Sequence, residues 1–233
     1  MKRLLFSIII AIAVLGANAQ LLKENKQILA DGSVANFVTQ ADILSGLFKV
    51  YRNTADNEIV RGSYVNGLRR GNWYYFNFDN SLFVRYNFDV NKLVYADYKS
   101  LSNFDVYVDA DESIKGKVSI PIPLWSFDSF YLIATESAIN AIDGPHKKYL
   151  KQKELKIRVR VDKSGGAKYY VQYRVEDEDF EREFVVGNKF FDISWLPASL
   201  DGQNYSADIV FLTKFIDDLS DKNSGHRRFN WSN

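Results

Sequence analysis

Gly62-Ser-Tyr-Val-Asn-Gly-Leu-Arg-Arg-Gly71, followed at once by Asn72-Trp-Tyr-Tyr-Phe76, decides the fold. Asn66-Gly67 lies between two runs of β-forming residues, and both residues tolerate the positive φ of a type I′ turn, so the stretch predicts a tight hairpin. Glu58-Ile-Val-Arg-Gly-Ser-Tyr64 is its first arm. The second arm, Gly71-Asn-Trp-Tyr-Tyr-Phe76, repeats the frame of Gly46-Leu-Phe-Lys-Val-Tyr51, 25 residues earlier. Hairpins stacked side by side are the simplest architecture for such repetition. Further strands are expected at Ser81 to Tyr86, Leu93 to Tyr98 and Phe104 to Val108. Phe83, Arg85 and Asn87 fall on one face and Val84, Tyr86 and Phe88 on the other, which predicts partial cover on both faces.

Outward from this centre, composition agrees with a mainly β protein. Aromatic residues make up 15% of the 233-residue chain, and Met occurs once. The chain has no Cys, so an apolar core must stabilise it without disulfides, and 46% hydrophobic residues suffice for one large core or two modest ones. At the start, Met-Lys-Arg precedes an apolar run from Leu4 to Leu15 and the small residues Gly16-Ala-Asn-Ala19. That is the layout of a cleavable secretory signal over residues 1–19, too short for a membrane span. The expected location is periplasmic or secreted, in a bacterial envelope, and the absence of Cys after the cut excludes lipid attachment there. Loss of Lys2 and Arg3 leaves 28 basic residues against 29 acidic. So even a balance supplies no bulk attraction to nucleic acid.

Residues 20–36 read as a loosely held N-terminal segment, and 37–118 as the hairpin-repeat module. Pro121, Pro123 and Pro145 mark the boundary region. Beyond it, Phe127, Phe130, Tyr131, Ala134, Ala138, Ile139 and Ile142 recur near helical spacing, and Gly144-Pro145 stops the helix. Leu155 to Val161 alternates with period two and joins Ala167 to Val175 through Asp162-Lys-Ser-Gly-Gly166, a hairpin with a glycine-containing loop. A second helix is expected over Asp179 to Phe191, capped by Asp179, and a long strand over Tyr205 to Phe215. Residues 119–216 thus form a small α+β domain, and 217–233 a polar tail.

Two family resemblances rest on these residues. Gly46-Leu-Phe-Lys-Val-Tyr51, Gly62 to Gly71 and Asn72-Trp-Tyr-Tyr-Phe76 resemble MORN-type repeats of the bacterial YwqK-like kind, over residues 46–88. Leu155-Lys-Ile-Arg-Val-Arg-Val-Asp-Lys-Ser-Gly165, Trp195-Leu-Pro-Ala198 with Asp201-Gly202, and Ile209 to Phe215 resemble the C-terminal domain of TonB, diverged, over residues 145–215. The first resemblance implies a binding scaffold without catalytic residues. The second implies a protein-binding domain that adds a partner's peptide as a strand at a sheet edge, at Tyr205 to Phe215 or its neighbour. The proline-rich arm and uncleaved anchor of a transducing TonB have no counterpart here.

Candidate chemistry is sparse. His146 and His226 lack ligand-like spacing, and His146 reads as a solvated loop residue. Asp109-Ala-Asp-Glu112 and Glu176-Asp-Glu-Asp179 lack a calcium-loop glycine and read as solvated turn charges, so neither a metal nor a cofactor is expected. Trp73, Tyr74 and Tyr75 read either as an exposed aromatic row that takes a glycan or peptide, or as the core ladder of the repeat, which is preferred. The candidate binding residues are Trp73 and Tyr75 with Arg69 and Arg70 as rim residues, and Tyr205 and Ile209 on the last strand. The resulting expectation is an exported, non-enzymatic binding or adaptor protein with an envelope protein, peptide or glycan as partner. Its rivals are a degenerate TonB-type partner of outer-membrane receptors and a carboxylate-based hydrolase. Amino-terminal sequencing of the exported protein should begin at Gln20; a chain beginning at Met1 would instead keep the first segment as an anchor.

Overall fold

The computed structural model describes residues 21–52, 57–102, 104–150, 153–186 and 193–214. The predicted signal and polar tail lie outside the described residues, as does part of the helix predicted up to Phe191. The first sheet is a seven-stranded antiparallel meander in chain order: β1 (Lys23–Ile28), β2 (Val34–Gln40), β3 (Ile43–Tyr51), β4 (Glu58–Val65), β5 (Leu68–Phe76), β6 (Leu82–Asn87) and β7 (Lys92–Ala96). Asn66 and Gly67 have φ of 50° and 78°, the two left-handed positions of the expected turn, and Val65 pairs with Leu68. Residues 20–36, read as a loose segment, instead supply β1 and the start of β2. Lys23 to Ile28 pairs residue by residue with Thr39 to Val34, because Asp31-Gly32-Ser33 turns the chain back on itself. The Asp31 carboxylate accepts the Ser33 N–H at 3.0 Å and the Ser33 hydroxyl at 2.8 Å, and Gly32 takes φ 80°.

Bulges adapt this sheet to its core. Between Val50 and Tyr51 the pairing skips Ile59, and between Tyr75 and Phe76 it skips Phe83. Each extra residue is fully buried beside a buried neighbour, Val60 or Val84. A third bulge sets Gly71, Asn72 and Trp73 against the single residue Gly62. A β-carbon on Gly62 would lie 2.1 Å from the Trp73 indole, so only glycine lets that ring lie flat on β4.

The chain continues through β8 (Asp105–Val108), the short helix α1 (Glu112–Lys115), β9 (Ile122–Pro123), the long helix α2 (Phe127–Ala141), the short helix α3 (Gly144–Lys147), β10 (Glu154–Val161), β11 (Ala167–Val175) and β12 (Glu178–Phe184). It ends with β13 (Trp195–Leu196), β14 (Ala198–Leu200), β15 (Gln203–Tyr205) and β16 (Ala207–Lys214). The second sheet runs β12-β11-β10-β16-β8, all antiparallel. Helix α2 lies where its periodicity puts it, with Ser126 as N-cap. Over the described residues 179–186 the predicted helix does not form. Glu176, at φ 53°, turns the chain tightly, Glu178 pairs with Val175, and Phe180 and Phe184 are less exposed than Asp179, Glu181 and Glu183. A period of two therefore governs that segment, and its apolar side chains suit a pleat better than a helix. Phe104 to Val108, assigned by sequence to the repeats, pairs instead with β16.

Helix α2 packs along the second sheet, and its first turn also meets the first. Phe127 lies 5.5 Å from Phe83 of the first sheet and 5.0 Å from Phe104, which stacks 4.8 Å from Phe211 of the second. Phe130 meets Trp195 edge-on at 5.2 Å. One apolar cluster consequently runs from Leu29 to Phe211 through the helix. Among the described residues no helix is long and apolar enough to cross a membrane. The substitution Gly62→Ala should destabilise the fold by about 2 to 3 kcal/mol in urea unfolding, because the indole it displaces has no free volume to enter.

Candidate functional site

Successive residues of a strand point to opposite faces, so the Trp73-Tyr74-Tyr75 triplet is split between two environments. Trp73 and Tyr75 are 0% exposed. The Trp73 indole donates to the Ser63 carbonyl at 3.3 Å and packs against Phe48, Tyr64 and Phe88. The Tyr75 hydroxyl has no hydrogen-bond partner among the described residues, and burial pushes its ionisation well above the ordinary tyrosine range. These two residues belong to the core, which removes them as ligand contacts.

Arg69 is not a rim residue either. It turns to the covered face, where its guanidinium lies 5.1 Å from the Trp73 ring and 5.4 Å from that of Phe88. Its Nη1 donates to the Ser194 hydroxyl at 3.3 Å and its Nε to the Tyr64 hydroxyl at 3.4 Å. Arg70 does face outward, 3.9 Å from Asp89. Tyr205 and Ile209 lie elsewhere, at 9% and 1% exposure, Tyr205 in a small cluster with Val108, Val118, Ala198 and Ala207. The strand expected to receive a partner peptide, Tyr205 to Phe215, is broken at Ser206, and β16 is bonded by β10 along its length and by β8 over Ala207 to Val210. Its neighbour β8 forms one edge of that sheet. The other edge, β12, carries Glu178, Asp179, Glu181, Arg182 and Glu183, charges that discourage edge-to-edge pairing.

The opposite, open face of the first sheet presents a different set of residues. Pairing aligns Asn36, Lys49, Arg61, Tyr74, Arg85 and Tyr95 in one row across β2 to β7. The Arg61 guanidinium lies 4.9 Å and that of Arg85 5.4 Å from the centre of the one Tyr74 ring between them. Tyr74 in turn stacks on Phe76 at 6.4 Å. Asn72 accepts from Arg85 Nε and from Asn87 Nδ2, each at 3.3 Å, which orients the arginine. Glu58 serves both Lys49, at 3.0 Å, and Arg61, at 3.3 Å. Its hydrogen bond holds the Lys49 ammonium above its ordinary pKa. Lys49 and Arg61 thus share one carboxylate, and among the described residues Arg85 has none within ion-pairing distance.

The second sheet shows the opposite balance. Arg158 pairs with Glu181 at 3.1 Å and Asp208 at 3.4 Å, and Arg160 with Asp208 at 3.0 Å and also with Asp109. Arg174 pairs with Asp179 and Arg182 with Asp143, each at 2.7 Å. Asp109 and Asp179 of the acidic clusters are drawn into such pairs, and Glu112 lies on Lys115 at 2.8 Å. His146, read as a solvated loop residue, is partly buried, with Nδ1 3.2 Å from the Tyr173 hydroxyl and its ring 4.5 Å from that of Phe180. Among the described residues no group of three His, Asp or Glu is placed to hold a metal ion.

The signal for the cation row was present in the alternation of Arg61, Tyr74 and Arg85 on their strands, but only pairing across a bulge brings them together. Tyr74→Ala should cost about 1 kcal/mol or less in stability, the worth of exposed cation–π contacts. Trp73→Ala, one residue away, should cost about 3 to 5 kcal/mol; equal losses in urea unfolding would mean that the faces are assigned wrongly. Compared with protein-family models, with curated proteins and with solved structures, the chain matches none.

Proposed function

We propose that this protein is an exported, non-enzymatic binding or adaptor protein of a bacterial envelope, and that its partner sits on the open face of the seven-stranded sheet. The observation that carries this reading is the row of three cations, Lys49, Arg61 and Arg85, in which Glu58 pairs with the first two and no described carboxylate pairs with the third. An exported chain with 28 basic residues against 29 acidic gains nothing in bulk from such a local surplus, whereas a partner of opposite charge does. The export half of the proposal rests on the signal-like residues 1–19.

The two modules take their assignments from the same residues that suggested them. For a MORN-like first module, the supporting feature is Gly62 seated under the Trp73 ring within a glycine-turned hairpin. For a TonB-C-terminal-like second module, it is the contact between the two quoted motifs. Gly165, at φ 87°, would set a β-carbon 2.4 Å from the Trp195 carbonyl oxygen and 3.8 Å from Pro197, so the Asp-Lys-Ser-Gly turn and the Trp-Leu-Pro corner form one unit. A non-enzymatic role is supported by Asp109, Glu112 and Asp179 of the acidic clusters being paired with Arg160, Lys115 and Arg174.

Immobilised protein exposed to envelope extract should retain a component that high salt releases and that an Arg61→Ala/Arg85→Ala variant does not retain. Identical retention by variant and wild type would remove the open face as the binding surface.

A further inference from the structure

Resting on the open-face reading, we propose that the row from Lys49 to Arg85 binds an acidic polysaccharide, a linear glycan carrying carboxylates, laid across the strands. The charge of the row repels a cationic ligand and favours an anionic one over a neutral one. Guanidinium groups match carboxylates in planar, two-point hydrogen bonds, the strongest recognition this set of side chains can offer. Arg61 and Arg85 stand two strands apart, about 10 Å at the usual spacing of neighbouring strands. With Lys49 one strand further on, the cations form a line, which suits a chain with regularly recurring charge rather than a compact anion.

Three features select a glycan among linear polyanions. The row lies on β3 to β6, interior strands whose backbone N–H and C=O groups are consumed by sheet pairing. A peptide laid over it finds no backbone partners and loses the main source of affinity in strand addition. The Tyr74 ring has Arg61 and Arg85 against it, so it offers little free ring face, whereas single-stranded nucleic acid is held by bases stacked on open aromatic faces. Around the cations stand neutral hydrogen-bonding groups, Asn36, Ser63, Asn72 and the hydroxyl of Tyr95, which is 47% exposed. Carboxylates among many hydroxyls are what an acidic glycan presents.

The arginines are also prepared in advance. Cation–π contact with Tyr74 and the Asn72 hydrogen bond restrict them before any ligand arrives, which lowers the entropy lost on binding. Tyr74 is therefore a positioning residue, and its removal loosens the two guanidinium groups without changing the charge of the face.

The test is calorimetric titration and affinity electrophoresis of the purified protein with alginate and polygalacturonate, beside dextran, poly-glutamate, oligo-dT and anionic lipid vesicles. Expected are salt-sensitive binding of the two uronate polymers and none of dextran. Arg61→Ala and Arg85→Ala should each weaken binding about tenfold, the loss of one charge-assisted hydrogen bond. Tyr74→Leu should weaken it by less while keeping its dependence on salt, and Arg174→Ala on the second sheet should leave it unchanged. If poly-glutamate, oligo-dT or vesicles bind through Arg61 and Arg85 while the uronates do not, the glycan assignment is wrong and the open-face reading stands. If no polyanion binds, or if all bind equally well without the two arginines, both are wrong.

Discussion

The first turn of the long helix holds the molecule together, because within five residues it satisfies buried groups from three separate parts of the chain. The Ser129 hydroxyl accepts the Trp125 indole N–H at 3.0 Å and donates to the Asp31 carboxylate at 2.5 Å, which ties the β1–β2 turn to the helix. Asp128 accepts the backbone N–H of Phe78 at 2.7 Å, reaching past the end of β5. Phe127 fills the space between Phe83 and Phe104. Ser126 and Ser129 are fully buried, and burial raises the Asp128 carboxyl above its ordinary pKa. In such a setting each hydrogen bond is stronger than in water, and losing any one partner strands another in the core. The docking is thus cooperative, and it decides which face of the seven-stranded sheet is covered.

Once that face is covered, the composition of the other follows from the pleat. Phe48, Trp73, Tyr75, Val84 and Tyr86 go inward with the helix, and Lys49, Asn72, Tyr74, Arg85 and Asn87 stay outside. The outer face is apolar at one end, where Leu47 and Val65 are about half exposed, and cationic in the middle. Neither the helix nor the second sheet reaches it. A ligand surface here needs no movement of the core, and substitutions on it should be separable from folding.

Much of this arrangement could be read from local pattern, and the misreadings share one cause. The Asn66-Gly67 hairpin and the Ser126 to Ile142 helix depend on short-range geometry, and both stand as expected. Residues 179–184 mix charged with apolar side chains so evenly that period and propensity disagree, and pairing with β11 settles the matter in favour of a strand. The cation row was hidden for a related reason. Continuing the regular pairing from Val65 and Leu68 puts Asn72 opposite Arg61, but the bulge at Gly71, which takes φ 62°, advances β5 so that Tyr74 stands there instead. Reading Trp73, Tyr74 and Tyr75 as one aromatic group ignored the alternation that buries two of them and exposes the third.

Charge was legible only as a sum, and the sum concealed its distribution. Lys49 sits directly across from Arg61, an arrangement that destabilises an antiparallel pair unless something intervenes. Glu58 reaches both and offsets the repulsion, while Tyr74 stands between Arg61 and Arg85 and separates the next two charges. The second sheet solves the same problem differently, with one or two carboxylates for each arginine of its ion pairs. Pairing an arginine with a carboxylate was therefore available to this protein. The row on the first sheet departs from that pattern: it spaces surplus charge with an aromatic ring and orients Arg85 with an amide in place of a carboxylate, and the proposed anion site rests on that departure.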